Sequence, residues 1–502
     1  MKIAIGQADT NNDQKGGIRR TDLLIVIAMT SASRFLFYSS GLTFDASTPF
    51  SFMQFIDPQL LMRQLLQSLW HYHANPPLLN LTTGIALKLF GANAPLALSM
   101  AFHALGFLLA ASVFAVLQTC TRSRIVAYAL TALMVFSPSF VLYENWLMYT
   151  FPSAALLGVS VYLLMRYVVS GATRWGVSFF VCLALLALTR SMFHLAWMIV
   201  ITGTLSFSMP HRARHVLRCA AVPLILVVGW YGKNYLLFGT FSSSTWMGLG
   251  LSNITTLTVP RSKLEPLVKE GTLSEFALVS RYEDTRLLFS DLNPSQDEIP
   301  VLHNLKKSTG QFNYNYLGIV DVSALYARDG FQTALHFPAE YLNGVKLSNR
   351  LFFSPTSMNA YFTAENRIAA APMQLVYNLL FYGAKASPVQ TEVPHFGYSG
   401  KNFVEVNTGI ILIFIYPLIL LYALARIVYV VSGKAPISLV EKALLTYLVF
   451  NISYIYFLGT LLELAENYRY RFLTEPLFLM LVGLLIGDLN RLRRRWREMR
   501  LR

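Results

Sequence analysis

Between Thr43 and Gly91 the chain gathers two carboxylates, two histidines and a double proline: Asp45, then Asp57-Pro58, then His71-Tyr72-His73-Ala74-Asn75-Pro76-Pro77. This stretch directly follows an apolar run. A loop that only connects two helices has no need of acids at such a boundary. A carboxylate there can take the proton of an acceptor hydroxyl or amine as it attacks. Further polar residues recur at the ends of later apolar runs: Glu144, Arg190, Lys233 with Asn234, and the set Glu463, Glu466, Asn467, Arg469 and Arg471. Cations of this kind can hold a phosphate as it leaves. The combination suits transfer of a group carried on a membrane lipid phosphate. Asp45, Asp57 and Glu144 are the candidate catalytic acids. His73, Asn75, Arg190, Lys233, Asn234, Glu466, Asn467, Arg469 and Arg471 are the candidate substrate contacts.

Each of these residues also has a structural reading. Asp57 precedes Pro58, the pattern of a helix N-cap with proline at the first helical position. His71 and His73 flank an aromatic and can simply pack. Arg190 can form an ion pair or snorkel, and Arg34, inside the first apolar run, can do the same or touch a phosphate. The Glu466–Arg471 charges can form a solvated face. Read as an extended segment, Arg469 and Arg471 point the same way and can grip one phosphate. As boundary groups, the three acids are expected to support no core. No His-x-x-x-His or Cys-x-x-Cys spacing occurs, so no metal ligands are assigned. Cys120, Cys182 and Cys219 lie in or beside apolar runs and read as buried thiols.

These side chains are positioned by a membrane scaffold. Hydrophobic residues make up 54% of the 502 and charged residues only 13%, about half the charged share of soluble domains. The expected fold is an all-α polytopic membrane protein with about ten spans: 22–42, 95–118, 124–142, 150–168, 174–189, 193–209, 214–238, 406–431, 437–461 and 472–489. The first, near Leu23, has no small-residue cleavage site after it and reads as uncleaved. The net charge of +15 is concentrated in short loops and in the tail Arg491-Leu492-Arg493-Arg494-Arg495. It therefore orients a membrane protein and does not mark a nucleic-acid binder. Ten spans put both termini and every basic short loop on the cytoplasmic side.

Pro76–Phe90 is apolar but short, and counting it as a span would break that charge parity. It reads as a helix lying along the outer boundary. Pro58–Trp70 reads as one amphipathic helix, with Leu61, Leu65 and Leu69 on a stripe against Gln59, Arg63 and Gln67. The chain divides into an N-terminal transmembrane module (1–238) with its first external loop (43–94), a large external segment (239–405) and a C-terminal transmembrane module (406–502). Within the external segment, 263–282 and 322–352 read as helical and 369–384 as interfacial or re-entrant.

A first span, an acidic outer loop, an amphipathic helix, Asn75-Pro76-Pro77-Leu78-Leu79 and then Lys88-Leu89-Phe90-Gly91 together resemble the GT-C superfamily. These are integral-membrane glycosyltransferases that use polyprenyl-phosphate sugars, among them protein O-mannosyltransferases and the lipid A aminoarabinose transferase. Glu144 and the charged cluster before the last span match the same layout. Where that family has an Asp-Glu pair, Asp45 is followed by Ala46 and Asp57 by Pro58, so both acids stay candidates for its base. The resemblance implies an inner-membrane enzyme with a periplasmic site. It would move a sugar from a polyprenyl-phosphate carrier to an envelope glycan, lipid or protein, with no soluble cofactor required and a divalent cation between outer acids left open. The competing readings are a transporter or flippase of a lipid-linked substrate, and a non-catalytic membrane assembly protein.

Overall fold

The structure, a computed structural model, describes residues 18–281, 299–383, 388–394, 402–432 and 438–500. The bundle comprises α1 (Arg20–Ser39), α2 (Leu78–Phe90), α3 (Ala94–Thr121), α4 (Arg124–Val135), α5 (Pro138–Glu144), α6 (Thr150–Ser170), α7 (Thr173–Thr189), α8 (Leu195–Ser208), α9 (Ala213–Phe238), α10 (Ile410–Val431), α11 (Leu439–Leu462) and α12 (Asn467–Arg500). Seven helical stretches are long and apolar enough to cross a membrane. The bent pair α4–α5 makes an eighth, and α7 and α8 are shorter apolar helices. The chain is an all-α polytopic membrane protein. Each of the ten segments read as spans contains a helix, although the eighth begins only at Ile410.

Local chemistry sets the helix limits. Ser123 caps α4 through a bond from Val126 N. Pro138 opens α5 after a break at Phe136–Ser137, and the two helices meet at 57°. Gly171 and Gly239 end α6 and α9 in the left-handed conformation that glycine adopts without strain. The centre is built on close approach of small residues. Gly158 of α6 sits against Leu109 of α3, and at Gly487 of α12 a Cβ would come within 2.2 Å of the Cys120 carbonyl oxygen of α3.

Three local readings are corrected. Pro58–Trp70 is two short helices, Pro58–Arg63 and Leu65–Trp70, broken where Gln64 takes φ −132° and ψ 42°. Leu61, Leu65 and Leu69 are nevertheless all buried, and they pack on Val301 and Leu302 of the later segment. The Pro76–Phe90 element begins at Leu78. It runs through one 3₁₀ turn, Gly91–Asn93, into α3, giving an apolar stretch of 44 residues. At 1.5 Å per residue that is about 66 Å, twice what one crossing needs. Finally, α12 begins at Asn467, so Arg469 and Arg471 are helical and not extended.

The two ends of the bundle differ. At one end the basic short loops meet. Arg124 pairs with Asp22 at 3.7 Å, His215 bonds Tyr167 and Thr173, and Arg426 and Arg491 share Asp488. At the other end lie the first loop, the α5–α6, α7–α8 and α11–α12 turns, and the segment between α9 and α10. That segment carries helices Arg261–Lys269, Ile319–His336, Pro338–Phe352 and Ala364–Tyr377, the last continuing into a π turn, Asn378–Tyr382. It also carries a strand pair not foreseen from the sequence, β1 (Val389–Glu392) antiparallel to β2 (Phe403–Val406).

Candidate active site

At the end that carries the long segment, Asp45 and Trp146 form an isolated parallel bridge. Asp45 N donates to Asn145 O at 2.8 Å and Leu147 N donates to Asp45 O at 3.0 Å. One carboxylate oxygen of Asp45 accepts from Ser47 N and Ser47 Oγ. The other makes no hydrogen bond among the described residues, and the side chain is only half-buried. Asp45 is therefore held by its backbone while keeping a lone pair free for a proton.

Asp57 is differently committed. It caps Pro58–Arg63 by accepting from Gln59 N, and it accepts from Ser308 N at 2.6 Å and Ser308 Oγ at 2.5 Å. Lys307, beside it, donates to Phe52 O, and burial brings its ammonium down to about 8. Asp57 thus ties the first loop to the later segment. His73 does the same. It is fully buried, its Nδ1 accepts from Thr245 Oγ1 at 2.8 Å and its Nε2 donates to Asn315 O at 3.0 Å. Burial pushes its imidazole down to about 3, so it is neutral. Asn75 lies half-buried, with its Nδ2 lacking a hydrogen-bond partner. Lys233 donates to Tyr72 O at 2.7 Å over the Trp230 ring, and Asn234 donates to Ser242 O.

Glu144 is not a boundary group. It is fully buried and forms a two-pronged pair with Arg34 of α1: Arg34 Nε to Oε2 at 2.8 Å and Nη2 to Oε1 at 2.6 Å. Gly106 leaves the space, since a Cβ there would meet Glu144 Oε1 at 1.8 Å. The expectation that the boundary acids support no core fails here. A bidentate buried pair locks α1 to α5, and removing either partner strands a charge. Beside it, Tyr38, partly exposed, contacts His103 and donates to Asn145 Oδ1 at 2.8 Å, which links the Asp45–Trp146 bridge to α1.

The later charges converge on an aromatic cluster. Arg469 is fully buried. Its Nη1 bonds Glu466 Oε2 at 2.6 Å, its Nε and Nη2 reach Thr150 Oγ1, and its guanidinium lies over Trp146 and Tyr149 at 5.1 and 5.2 Å. Arg471 points elsewhere, because two residues along a helix are about 200° apart. It lies over Tyr416 at 4.8 Å, and one face cannot hold both arginines. Asn467 turns its amide back to Gly459 O and Glu463 O. Before it, Ala465 takes φ +89°, a strained conformation of the kind that clusters at functional sites. Burial pushes the neighbouring Glu463 carboxyl up to about 7.

Arg190 joins this cluster from the α7–α8 turn. Its guanidinium lies 4.5 Å from the Tyr470 ring centroid and 5.2 Å from that of Tyr149. It is 5% exposed, Nη1 is buried without a hydrogen-bond partner, and no carboxylate pairs with it among the described residues. Trp146 Nε1 is likewise a buried donor without a partner. Buried polar groups are normally satisfied, and an isolated buried cation is costly. Arg471, 3% exposed over Tyr416, likewise has Nε and Nη1 without hydrogen-bond partners, so the bundle end holds two buried guanidiniums with unsatisfied donors. Trp146, Tyr149 and Tyr470 were not foreseen as part of the cluster. Their only sequence signal is alternation with charges, in Tyr468-Arg469-Tyr470-Arg471 and around Glu144.

By fold and site the protein is a polytopic membrane protein with a buried cation–aromatic cluster at one end of its bundle. No family model matches the chain, and no curated protein matches it. Among solved structures, ArnT from Cupriavidus metallidurans bound to undecaprenyl phosphate aligns with a TM-score of 0.33 and 13% identity, covering 91% of this chain and 78% of that one. Apo ArnT from the same organism gives 0.30 and 12%, covering 93% and 77%. At these values neither lends its chemistry to this chain.

Proposed function

We propose that this chain is a GT-C-type glycosyltransferase that takes a sugar from a polyprenyl-phosphate carrier at the outer face of the cytoplasmic membrane. The observation that carries the reading is Arg190, a buried guanidinium with an unsatisfied Nη1 and no ion-pair partner among the described residues. A lipid phosphate presented at the membrane boundary supplies the missing negative charge and oxygen acceptors. Arg469, already paired with Glu466, stiffens the aromatic wall around Tyr149 and contributes little free charge.

In this reading Asp45 is the base, because it keeps an oxygen free and its backbone is fixed. It takes the proton of the acceptor as the acceptor attacks the sugar carbon. The carbon–oxygen bond to the carrier breaks, and polyprenyl phosphate leaves with its charge against Arg190. Asp57 and His73 hold the first loop in place, and Glu144 with Arg34 holds the helices behind it. The acceptor is an envelope glycan, lipid or protein.

The test is turnover by the purified protein. A lipid-linked sugar incubated with membrane extract as acceptor should yield polyprenyl phosphate and a glycosylated product, and envelope glycans from cells lacking the gene should lose one sugar. A transporter would instead move the intact lipid-linked sugar across proteoliposomes with no cleavage, and that result would replace the enzyme reading.

A further inference from the structure

The last helix outruns the membrane. Its 34 residues span about 51 Å at 1.5 Å per residue, against a hydrocarbon core of about 30 Å. If Asn467 lies at one boundary, the core is crossed after about 20 residues, so the chain beyond Gly487 runs at headgroup depth and past it. Within that stretch the arginines do two different things. Arg491 turns inward and is consumed, pairing with Glu441 of α11 and Asp488, while Arg426 of α10 takes the other side of Asp488. Arg493 and Arg497 are exposed and have no acidic partner among the described residues.

Their neighbours set their surroundings. Leu489, Leu492, Trp496 and Met499 are 46%, 61%, 51% and 67% exposed. At 100° per residue these four fall within an arc of about 80° on the side of the helix away from Arg491. Arg493 and Arg497, one turn apart, lie about 40° and 80° beyond the Leu489 edge of that arc. An apolar stripe that contains a tryptophan, edged by unpaired arginines and continuous with a membrane span, has the composition of a surface that lies against lipid headgroups.

We infer that this end of α12 is a binding surface for anionic phospholipid: the stripe enters the acyl boundary, and Arg493 and Arg497 hold headgroup phosphates. Charge complementarity favours an anionic lipid over a zwitterionic one, because the clip at Asp488 has already neutralised Arg426 and Arg491 and leaves Arg493 and Arg497 as surplus positive charge. The inference does not depend on the reaction proposed above.

The experiment counts lipids retained by the full-length detergent-purified protein in native mass spectrometry, with phosphatidylglycerol and phosphatidylcholine offered in equal amounts. The wild type should retain phosphatidylglycerol preferentially and lose it when salt is raised to 1 M before exchange. R493Q/R497Q should weaken that preference by about thirtyfold, about fivefold for each arginine. R493K/R497K should keep it, which separates charge from any folding defect. Equal retention of the two lipids by the wild type, or an unchanged preference in a folded R493Q/R497Q protein, would overturn the inference. So would displacement of phosphatidylglycerol by a short oligonucleotide, which would point to nucleic acid as the occupant.

Discussion

In the proposed reading a lipid phosphate offsets the burial of the Arg190 guanidinium. Arg190→Ala is expected to weaken binding of polyprenyl phosphate about tenfold to a hundredfold, the range for a charge-assisted bond to a buried group. It should change the unfolding midpoint little, since a buried cation without an ion-pair partner and its contacts with the Tyr149 and Tyr470 rings are removed together. Arg190→Lys should recover part of the affinity, because a point charge replaces a fork. Asp45→Asn is expected to lower turnover about a hundredfold or more with little effect on donor binding. Glu144→Gln behaves differently: it leaves Arg34 buried without its counter-charge, a change that costs about 3–5 kcal/mol. Its signature is a lowered unfolding midpoint and poor yield, and turnover per folded molecule should fall much less than in Asp45→Asn. A Glu144→Gln protein of wild-type stability with abolished turnover would return Glu144 to the chemistry.

At the scale of elements, the first loop is held to the segment between α9 and α10 by Asp57, His73 and the leucine stripe. His73 makes this clamp sensitive to acid. Its folded-state pKa of about 3 lies below the unfolded value of about 6.5, so an unfolded or opened loop binds the proton more readily. The contribution is complete above about pH 6.5 and is lost as pH falls toward 3. Protection factors of residues 58–74, corrected for the intrinsic pH dependence of exchange, should therefore fall on acidification, and Thr245→Val should lower them already at neutral pH by removing the hydroxyl that donates to Nδ1. Deeper in the bundle, Gly487→Ala drives a methyl into the Cys120 carbonyl and should cost about 1–3 kcal/mol in the unfolding midpoint.

Much of this scale was legible in the chain. The i, i+4, i+8 spacing of Leu61, Leu65 and Leu69 marked a buried face, and Asp57-Pro58 marked a helix start. The break at Gln64 was not legible, because the tertiary fit to Val301 and Leu302 overrides local periodicity. The direction of Arg471 was missed for a related reason. The pair Arg469–Arg471 was read with a period of two, whereas α12 begins early enough to impose a period of 3.6.

For the whole molecule, the apolar runs foretold an all-α polytopic bundle, and the distribution of arginines and lysines foretold the gathering of the basic loops at one end. Arg190 and Arg469 were candidates from the sequence, but their grouping with Trp146, Tyr149 and Tyr470 could not be foretold, because the five come from three turns far apart in sequence. Only packing brings them together. The sidedness proposed from the charge asymmetry is directly checkable, since the native cysteines are buried. Arg122→Cys should label only from the cytoplasmic side and Lys306→Cys only from the outer side. Labelling of both from one side would break the parity of the ten-helix arrangement.

The measurement that bears most directly on the central claim is binding of polyprenyl phosphate to the purified protein in nanodiscs, compared between wild type and Arg190→Ala. A saturable interaction in the wild type that weakens at least tenfold in Arg190→Ala, with Asp45→Asn binding as the wild type does, is the predicted result. No binding by the wild type, or equal binding by wild type and Arg190→Ala, would contradict the assignment of this site to a lipid phosphate.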